Sequence, residues 1–301
     1  MNRPSTIARA TALATALVLA VPVLALPERA AAFETASTIR AKINLAGRQR
    51  MLSQRIAAKA CLVQQGIDRD SSMAALDQAH GTFVSTAQAL RFGDPDRNLE
   101  PEENKTVLHY LEAVNKEWTP FGLAVRKALK KGQVDEASLT VIAERSLPVL
   151  KTMDKAVRRM TRTYGKKAGI REDARAVNYA GAQRMLTQRM AKTFCFVSAG
   201  VVPDASRFDL QVSADLFTAR LAMLRNGDAG EKIAPPATPE VAAHLADVDT
   251  QWAAIRSRID AATAGSTPGA DDVADMAAAL DALLKASHAA VQAMAAVDSD
   301  A

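Results

Sequence analysis

Several residue types and patterns are scarce in this chain of 301 residues, and each scarcity argues against a class of protein. Aromatic side chains make up only 4% of the sequence, which favours helices over β-sheet. After the first 32 residues there is no uncharged apolar stretch of about 18 residues, the least that predicts a membrane-spanning helix. The net charge of +5 is not gathered into a basic patch with interleaved aromatic residues, so we expect no nucleic-acid partner.

The residues that usually carry out catalysis or bind metals form no recognisable pattern. The histidines share no metal-ligand spacing, and no metal site is predicted at His80, His109, His244 or His288. The sequence also has no Ser-His-Asp set, no glycine-rich phosphate loop and no motif of paired carboxylates. We therefore expect neither an enzyme nor a bound cofactor.

Residues 1–32 have the pattern of a secretory signal peptide. Arg3 and Arg9 give a basic start, an apolar run follows at 12–26, and the small residues at 30–32 suit a cleavage site. An apolar run of about 15 residues is short for a bilayer, which needs about 20. We expect export to the periplasm and a mature chain that begins at Phe33; an uncleaved anchor is the alternative.

The rest of the chain contains two copies of one module, separated by 134 positions. Residues 43–61, INLAGRQRMLSQRIAAKAC, recur at 177–195 as VNYAGAQRMLTQRMAKTFC. The same offset relates Trp118 to Trp252 without a gap. Internal repetition on this scale predicts two similar structural units. We place the first module at 33–167 and the second at 168–301.

Glycine and proline residues divide each module into four helices. The predicted ranges are 36–65, 69–92, 101–131 and 135–164 in the first module, and 170–199, 204–226, 237–264 and 270–298 in the second. Pro148 should kink the fourth helix. The expected fold is all-α, with two tandem four-helix up-down bundles related by internal duplication. The joint at 164–169 is compatible with bundles that lie side by side or end to end.

The first helix of each module has two faces that suit packing. One face is an ordinary apolar stripe, formed by Leu45, Leu52, Ile56 and Val63 and by Tyr179, Leu186, Met190 and Val197. The opposite face carries small and polar residues, namely Ile43, Gly47, Arg50, Gln54 and Cys61, with Val177, Gly181, Arg184, Gln188 and Cys195 in the second module. We expect the first face to fill its own bundle and the second to meet the other module's first helix, across Gly47 and Gly181.

Such an interface would bring Arg50 opposite Arg184. Their like charges would repel, and a small anion between them would remove the repulsion while accepting forked hydrogen bonds from both guanidinium groups. Neutral hydrogen-bonding groups are available nearby at Gln54, Gln188, Asn44 and Asn178. The alternative is that each arginine pairs with a carboxylate of its own bundle, as buried arginines usually do.

Both copies contain Asn-x-Ala-Gly-x-x-Arg-Met, at 44–51 and 178–185. This segment resembles the type IV pili methyl-accepting chemotaxis transducer N-terminal domain, a sensor module shared with nitrate- and nitrite-sensing histidine kinases. The resemblance implies a periplasmic four-helix module that dimerises and holds nitrate between one arginine from each first helix, here Arg50 and Arg184. The membrane helices and signalling parts of such receptors have no counterpart in the sequence, so a membrane-bound signalling partner is expected.

Given this resemblance, we infer that the duplication replaces the receptor homodimer and creates one pseudo-twofold site in a single chain. Cys61 and Cys195 lie on the arginine-bearing face, and parallel first helices would bring them close enough for a disulfide in an exported protein. Two buried thiols are the alternative. The expected function is a periplasmic sensor or binding protein for a nitrate- or nitrite-like oxyanion. The alternative function is a ligand-independent adaptor that binds the sensor domain of a membrane receptor.

Overall fold

The computed structural model describes residues 36–165 and 173–297. The predicted signal peptide at 1–32, the start of the mature chain at Phe33 and most of the joint between the modules lie outside these ranges. Within the described ranges no helix is both long enough and apolar enough to cross a membrane.

The described residues contain eight α-helices, four in each module. The first bundle contains α1 (Ala36–Gln64), α2 (Arg69–Phe92), α3 (Lys105–Lys131) and α4 (Glu136–Tyr164). The second contains α5 (Asp173–Ser198), α6 (Pro203–Asn226), α7 (Pro239–Thr263) and α8 (Ala270–Val297). The predicted fold class, two all-α four-helix bundles from a tandem duplication, is confirmed.

Side-chain caps explain where several helices begin. Asn104 accepts hydrogen bonds from the backbone N–H groups of Thr106 and Val107, so α3 begins a few residues later than Pro101 suggested. Asp135 caps α4 in the same way through the N–H of Ser138. Both α3 and α4 continue through an internal proline, Pro120 and Pro148 respectively, as single helices. The kink at Pro148 stays a prediction.

Each bundle has its own core, and equivalent residues fill the two cores in similar ways. Leu52 and Ile56 of α1 are almost wholly buried, as are Leu186 and Met190 of α5. The ring of Trp118 stacks on Phe83 with centroids 3.8 Å apart, and the equivalent Trp252 lies 4.8 Å from Phe217. The apolar stripe of each first helix therefore packs inside its own bundle.

The loop after the second helix of each bundle folds back in the same way in both copies. Asp94 pairs with Leu99, and Asp228 with Ile233, in short antiparallel bridges. The turn starts at a glycine with positive φ, +81° at Gly93 and +75° at Gly227. A Cβ at Gly93 would lie 2.8 Å from the backbone nitrogen of Pro101, closer than real contacts allow. Both the backbone angle and the space therefore require glycine.

The bundles meet along α1 and α5, which are the only two of the described helices that each contact three others extensively. These two helices run parallel and in register, since residues at equivalent positions face each other. Cys61 and Cys195, which are 134 positions apart, form a disulfide with Cα atoms 6.2 Å from each other. The bundles consequently lie side by side, and we call the contact between α1 and α5 the seam.

Replacing Gly93 by alanine should lower the free energy of unfolding by roughly 1–3 kcal/mol, because alanine is strained at positive φ and its Cβ meets the backbone at Pro101. Gly81 lies within α2 with open space around its Cα, so Gly81→Ala is a matched control that should gain up to about 1 kcal/mol. Urea unfolding followed by circular dichroism measures both. Equal effects of the two variants would contradict this account of the loop.

Removing the disulfide in the variant C61A/C195A should lower the free energy of unfolding by roughly 2–5 kcal/mol, because the closed loop is long and its constraint on the unfolded chain is lost. Helical content should be unchanged, since alanine fits both buried positions. Unfolding of the oxidised protein and the variant in the same buffer gives the difference. An unchanged midpoint would show that the bond adds no stability.

Candidate functional site

Polar residues line the seam, on the small and polar face of each first helix. Arg50 is only 7% exposed and Arg184 only 8%, and Gln54 and Gln188 are fully buried one turn further along. The helical period places these residues on the face opposite the apolar stripe of α1 and of α5. A buried polar seam needs internal hydrogen bonds, and their pattern defines the site.

The two arginines reach across the seam to the other module. Nη2 of Arg50 donates to Oδ1 of Asn178 at 3.2 Å, and Nη2 of Arg184 donates to Oδ1 of Asn44 at 3.3 Å. These crossed bonds obey the pseudo-twofold relation between the modules. Four of the predicted site residues are thus brought together.

The glycines of the motif lie directly beneath the guanidinium groups. A Cβ at Gly47 would be 3.5 Å from Nη2 of Arg50, and one at Gly181 would be 3.5 Å from Nη2 of Arg184. Nε of Arg50 also points at the carbonyl oxygen of Gly47, 3.4 Å away. A Cβ at this distance would be in ordinary van der Waals contact, so the space beside the guanidinium group does not by itself require glycine at either position.

The two arginines differ in their remaining partner. Nη1 of Arg50 donates to Oδ1 of Asp154 on α4 at 2.8 Å. Nη1 of Arg184 lies 3.1 Å from Nδ1 of His288 on α8. Positions 154 and 288 are 134 apart, so an aspartate in one copy is replaced by a histidine in the other. Pairing with a carboxylate of its own bundle holds for Arg50 and not for Arg184.

The charge around Arg184 is not balanced by a carboxylate. Burial, followed by the positive charges of Arg48 and Arg50, lowers the pKa of Arg184 to about 10. Within the described residues, neither Arg184 nor Arg48 forms an ion pair with an acidic side chain. Burial and the positive charges of Arg184 and Arg48 disfavour a protonated imidazole and lower the pKa of His288 below its usual value. The imidazole is therefore neutral at pH 7.

The surroundings of Arg50 are also cationic, but they contain an anion. Asp154 bridges two arginines, with Oδ1 on Arg50 and Oδ2 2.5 Å from Nη2 of Arg158. Arg220 of α6 lies over the ring of Tyr179 at 5.3 Å. Burial lowers the pKa of Arg220. The nearby Tyr179 and Asp154 act to raise this pKa, whereas the positive charges of Arg50 and Arg158 lower it further.

Gln54 and Gln188, predicted to orient a ligand, bond elsewhere. Nε2 of Gln54 donates to the carbonyl oxygen of Ser146 and to Oγ of Ser53, both at 3.1 Å. Nε2 of Gln188 donates to Oδ1 of Asp281 at 3.3 Å. Their amide donors thus bind α4 and α8 and do not reach the arginines.

Further along the seam, ion pairs connect the modules. Asp281 of α8 accepts from Arg55 and Lys59 of α1 at 3.1 and 2.9 Å. Burial would raise the pKa of Asp281, but Lys59 and Arg55 outweigh it and lower the pKa below its usual value. These contacts fix α1 against the second bundle.

A second polar contact crosses at the buried amine of Lys192. Its Nζ lies 3.3 Å from Asp209 and 3.5 Å from Oγ of Ser146 in the first module. Burial lowers the pKa of Lys192 to about 8; Asp209 opposes that change and Arg189 adds to it. Arg189 itself pairs with Asp209.

Sequence reasoning noted that Arg48 is matched by Ala182, but it missed three other side chains that distinguish the two halves of the site, namely Asp154, His288 and Arg220. A signal was present, because the offset of 134 that relates the first helices also places His288 on Asp154. As for metals, no cluster of histidine, cysteine or acidic residues suited to bind one occurs in the described parts of the chain.

Comparison with known proteins agrees with this architecture. The model of the family described as type IV pili methyl-accepting chemotaxis transducer N-term matches the chain twice, over residues 33–142 and 168–292. No curated protein matches the chain significantly. The two matches together span more than half of the chain, and each falls on one copy of the repeat. The chain therefore belongs to the type IV pili methyl-accepting chemotaxis transducer N-terminal family of sensory modules, which it carries in two tandem copies.

Proposed function

We propose that this protein is a periplasmic sensor or binding protein for a small nitrate- or nitrite-like oxyanion, held at the pseudo-twofold site in the seam. The observation that carries the proposal is a pair of buried arginines, Arg50 and Arg184, which occupy equivalent positions of parallel helices and each donate a hydrogen bond across the seam. Burying a guanidinium group removes its hydration, and a compact anion with several acceptor oxygens is the partner that best replaces it.

The balance of charge supports an anion over a neutral ligand. Arg48 and Arg50 act electrostatically on Arg184, and Arg50 also acts on Arg220. Among the described residues, Asp154 is the only acidic side chain that forms an ion pair with one of these four arginines. An incoming anion lowers this repulsion, whereas a neutral ligand would leave it unchanged. Membership of a sensory family gives the binding event a use, since sensor modules convert ligand binding into a signal.

A signal-peptide pattern at 1–32 supports export, and the periplasm is where such a module would meet an external anion. Transmission of the signal inward then requires a membrane-bound partner. Such a partner would bind the protein at the surface of α1, α4, α5 or α8 next to the seam.

The second candidate function is an adaptor without a ligand of its own. The crossed bonds from Arg50 to Asn178 and from Arg184 to Asn44 favour it, because they satisfy one nitrogen of each guanidinium group within the protein. In that case the seam would be a structural contact, and the protein would bind a receptor's sensor domain through its outer surface.

Nitrate or nitrite at about 100 times its Kd should raise the free energy of unfolding by about 2.7 kcal/mol, or roughly 5–10 °C in Tm. The variant R50A/R184A should stay helical and lose this shift, because both guanidinium groups are gone. Thermal unfolding of the oxidised protein at constant ionic strength, with nitrate, nitrite, chloride, sulfate and phosphate compared, measures the effect.

A matched control is available on the surface. Arg91 and Arg225 occupy equivalent positions in the two copies, and their side chains are 40% and 41% exposed. R91A/R225A should keep the full anion-specific shift. Equal small shifts with every anion, or a full shift in R50A/R184A, would count against the anion proposal.

Capture of a membrane partner separates the two functions. The protein, immobilised and incubated with envelope extract, should bind a receptor more strongly or more weakly when nitrate is added if it is a sensor, because ligand and partner binding are then coupled. An adaptor should capture the same partner to the same extent with and without the anion.

A further inference from the structure

We infer that the anion binds in only one half of the seam, the half that contains Arg184, and that Asp154 takes the place of the ligand in the other half. This inference rests on the proposed function and specifies where the anion binds. The Arg184 half-site comprises Arg184, Asn44, Arg48 and His288. The Arg50 half-site comprises Arg50, Asn178, Asp154 and Arg158.

The Arg50 half-site already contains a bound carboxylate. Oδ1 of Asp154 accepts from Nη1 of Arg50 at 2.8 Å, and its Oδ2 accepts from Nη2 of Arg158 at 2.5 Å. A free anion would have to displace this carboxylate, or lie beside it and be repelled by its charge. Because the internal carboxylate is held at a high effective concentration, a free monoanion competes poorly at this position.

The Arg184 half-site has the same arrangement without the carboxylate. His288 occupies the position equivalent to Asp154, and its Nδ1 lies 3.1 Å from Nη1 of Arg184. Arginine can only donate, so Nδ1 accepts this bond and carries no proton. A neutral nitrogen thus stands where the other half-site has a negative oxygen, and no acidic side chain in 36–165 or 173–297 forms an ion pair with the buried guanidinium group of Arg184.

The Arg184 half-site is also open to an incoming ligand. Arg184 lies at its base, 8% exposed, while Asn44, Arg48 and His288 around it are exposed to solvent. Arg48 adds a second positive charge that the other module lacks, since its equivalent is Ala182. An anion entering here meets two guanidinium groups and a displaceable imidazole.

Asp154 indicates the chemistry of the ligand. Its carboxylate is planar, carries one negative charge and bridges two arginines through two oxygens. A ligand that bridges Arg184 and Arg48 in the same way is a planar monoanion with two or three oxygens. Nitrate and nitrite belong to this class, and so do small carboxylates such as formate and acetate. Chloride, with a single acceptor centre, does not.

The decisive experiment exchanges the residues at the two equivalent positions. H288D places a carboxylate beside Arg184, so the variant should gain thermal stability in chloride buffer and bind nitrate at least tenfold more weakly. D154H removes the internal carboxylate beside Arg50 and should raise the nitrate stoichiometry from one to two per chain. The exchange variant D154H/H288D should bind one nitrate again, now at Arg50. Calorimetric titration of each full-length, oxidised protein with sodium nitrate gives affinity and stoichiometry.

Single arginine variants provide a readout that does not depend on these exchanges. R184Q should abolish nitrate binding in the unaltered background, whereas R50Q should weaken it clearly less, because Arg50 then acts on the bound anion only through its charge and donates no bond to it. In D154H/H288D the order should reverse. The ring of His288 supplies a direct signal in NMR titrations: the charged groups acting on it are the cations Arg184 and Arg48, so a bound anion should raise the pKa of His288.

The outcomes separate the inference from the proposed function. If the unaltered protein binds nitrate and H288D binds it equally well, or if R50Q and R184Q lose binding to the same extent, the one-sided site is wrong and the anion bridges both halves. If the unaltered protein binds none of nitrate, nitrite, formate or acetate above chloride, the proposed function fails and the inference fails with it. Formate and acetate also decide whether the ligand is an inorganic oxyanion or a carboxylate.

Discussion

The burial of two positively charged guanidinium groups is the constraint on which the centre of this molecule depends. Two guanidinium groups are buried where α1 meets α5, and neither the hydrophobic effect nor van der Waals packing compensates a desolvated cation. The crossed asparagine bonds supply acceptors for both guanidinium groups, and the carboxylate of Asp154 supplies a negative charge to one of them. Arg50 has both an asparagine acceptor and a carboxylate, whereas Arg184 has an asparagine and the uncharged imidazole of His288.

Other parts of the seam hold the helices together against this repulsion. Asp281 binds α8 to two cations of α1, Lys192 reaches Ser146 across the seam, and the Cys61–Cys195 disulfide fixes the register further along. The cysteines lie 11 residues beyond the arginines, about 16 Å along an ideal helix. The ion pairs between the modules and the covalent bond thus lie on one stretch of the seam, and the two buried arginines lie on another.

Much of this was predictable from the sequence, and the rest was not for definite physical reasons. Helix ranges followed from glycine and proline, and the two faces of α1 followed from the helical period, because both depend on local chain geometry. Gln54 and Gln188 were expected to serve the arginines, yet they bond to α4 and α8; a helical period gives the face of a residue but not which neighbouring helix its amide meets. Asp154 and His288 were missed because long-range packing alone brings them to the arginines.

The joining of both halves in one oxidised chain has a consequence for the binding equilibrium and another for evolution. A site shared by two separate subunits exists only while they are associated, so its occupancy depends on protein concentration as well as on ligand. Here the halves are bonded through Cys61 and Cys195, and dilution does not separate them. The halves are also encoded separately, so a substitution can alter one without the other, as at positions 154 and 288. Identical subunits of a homodimer have no such freedom.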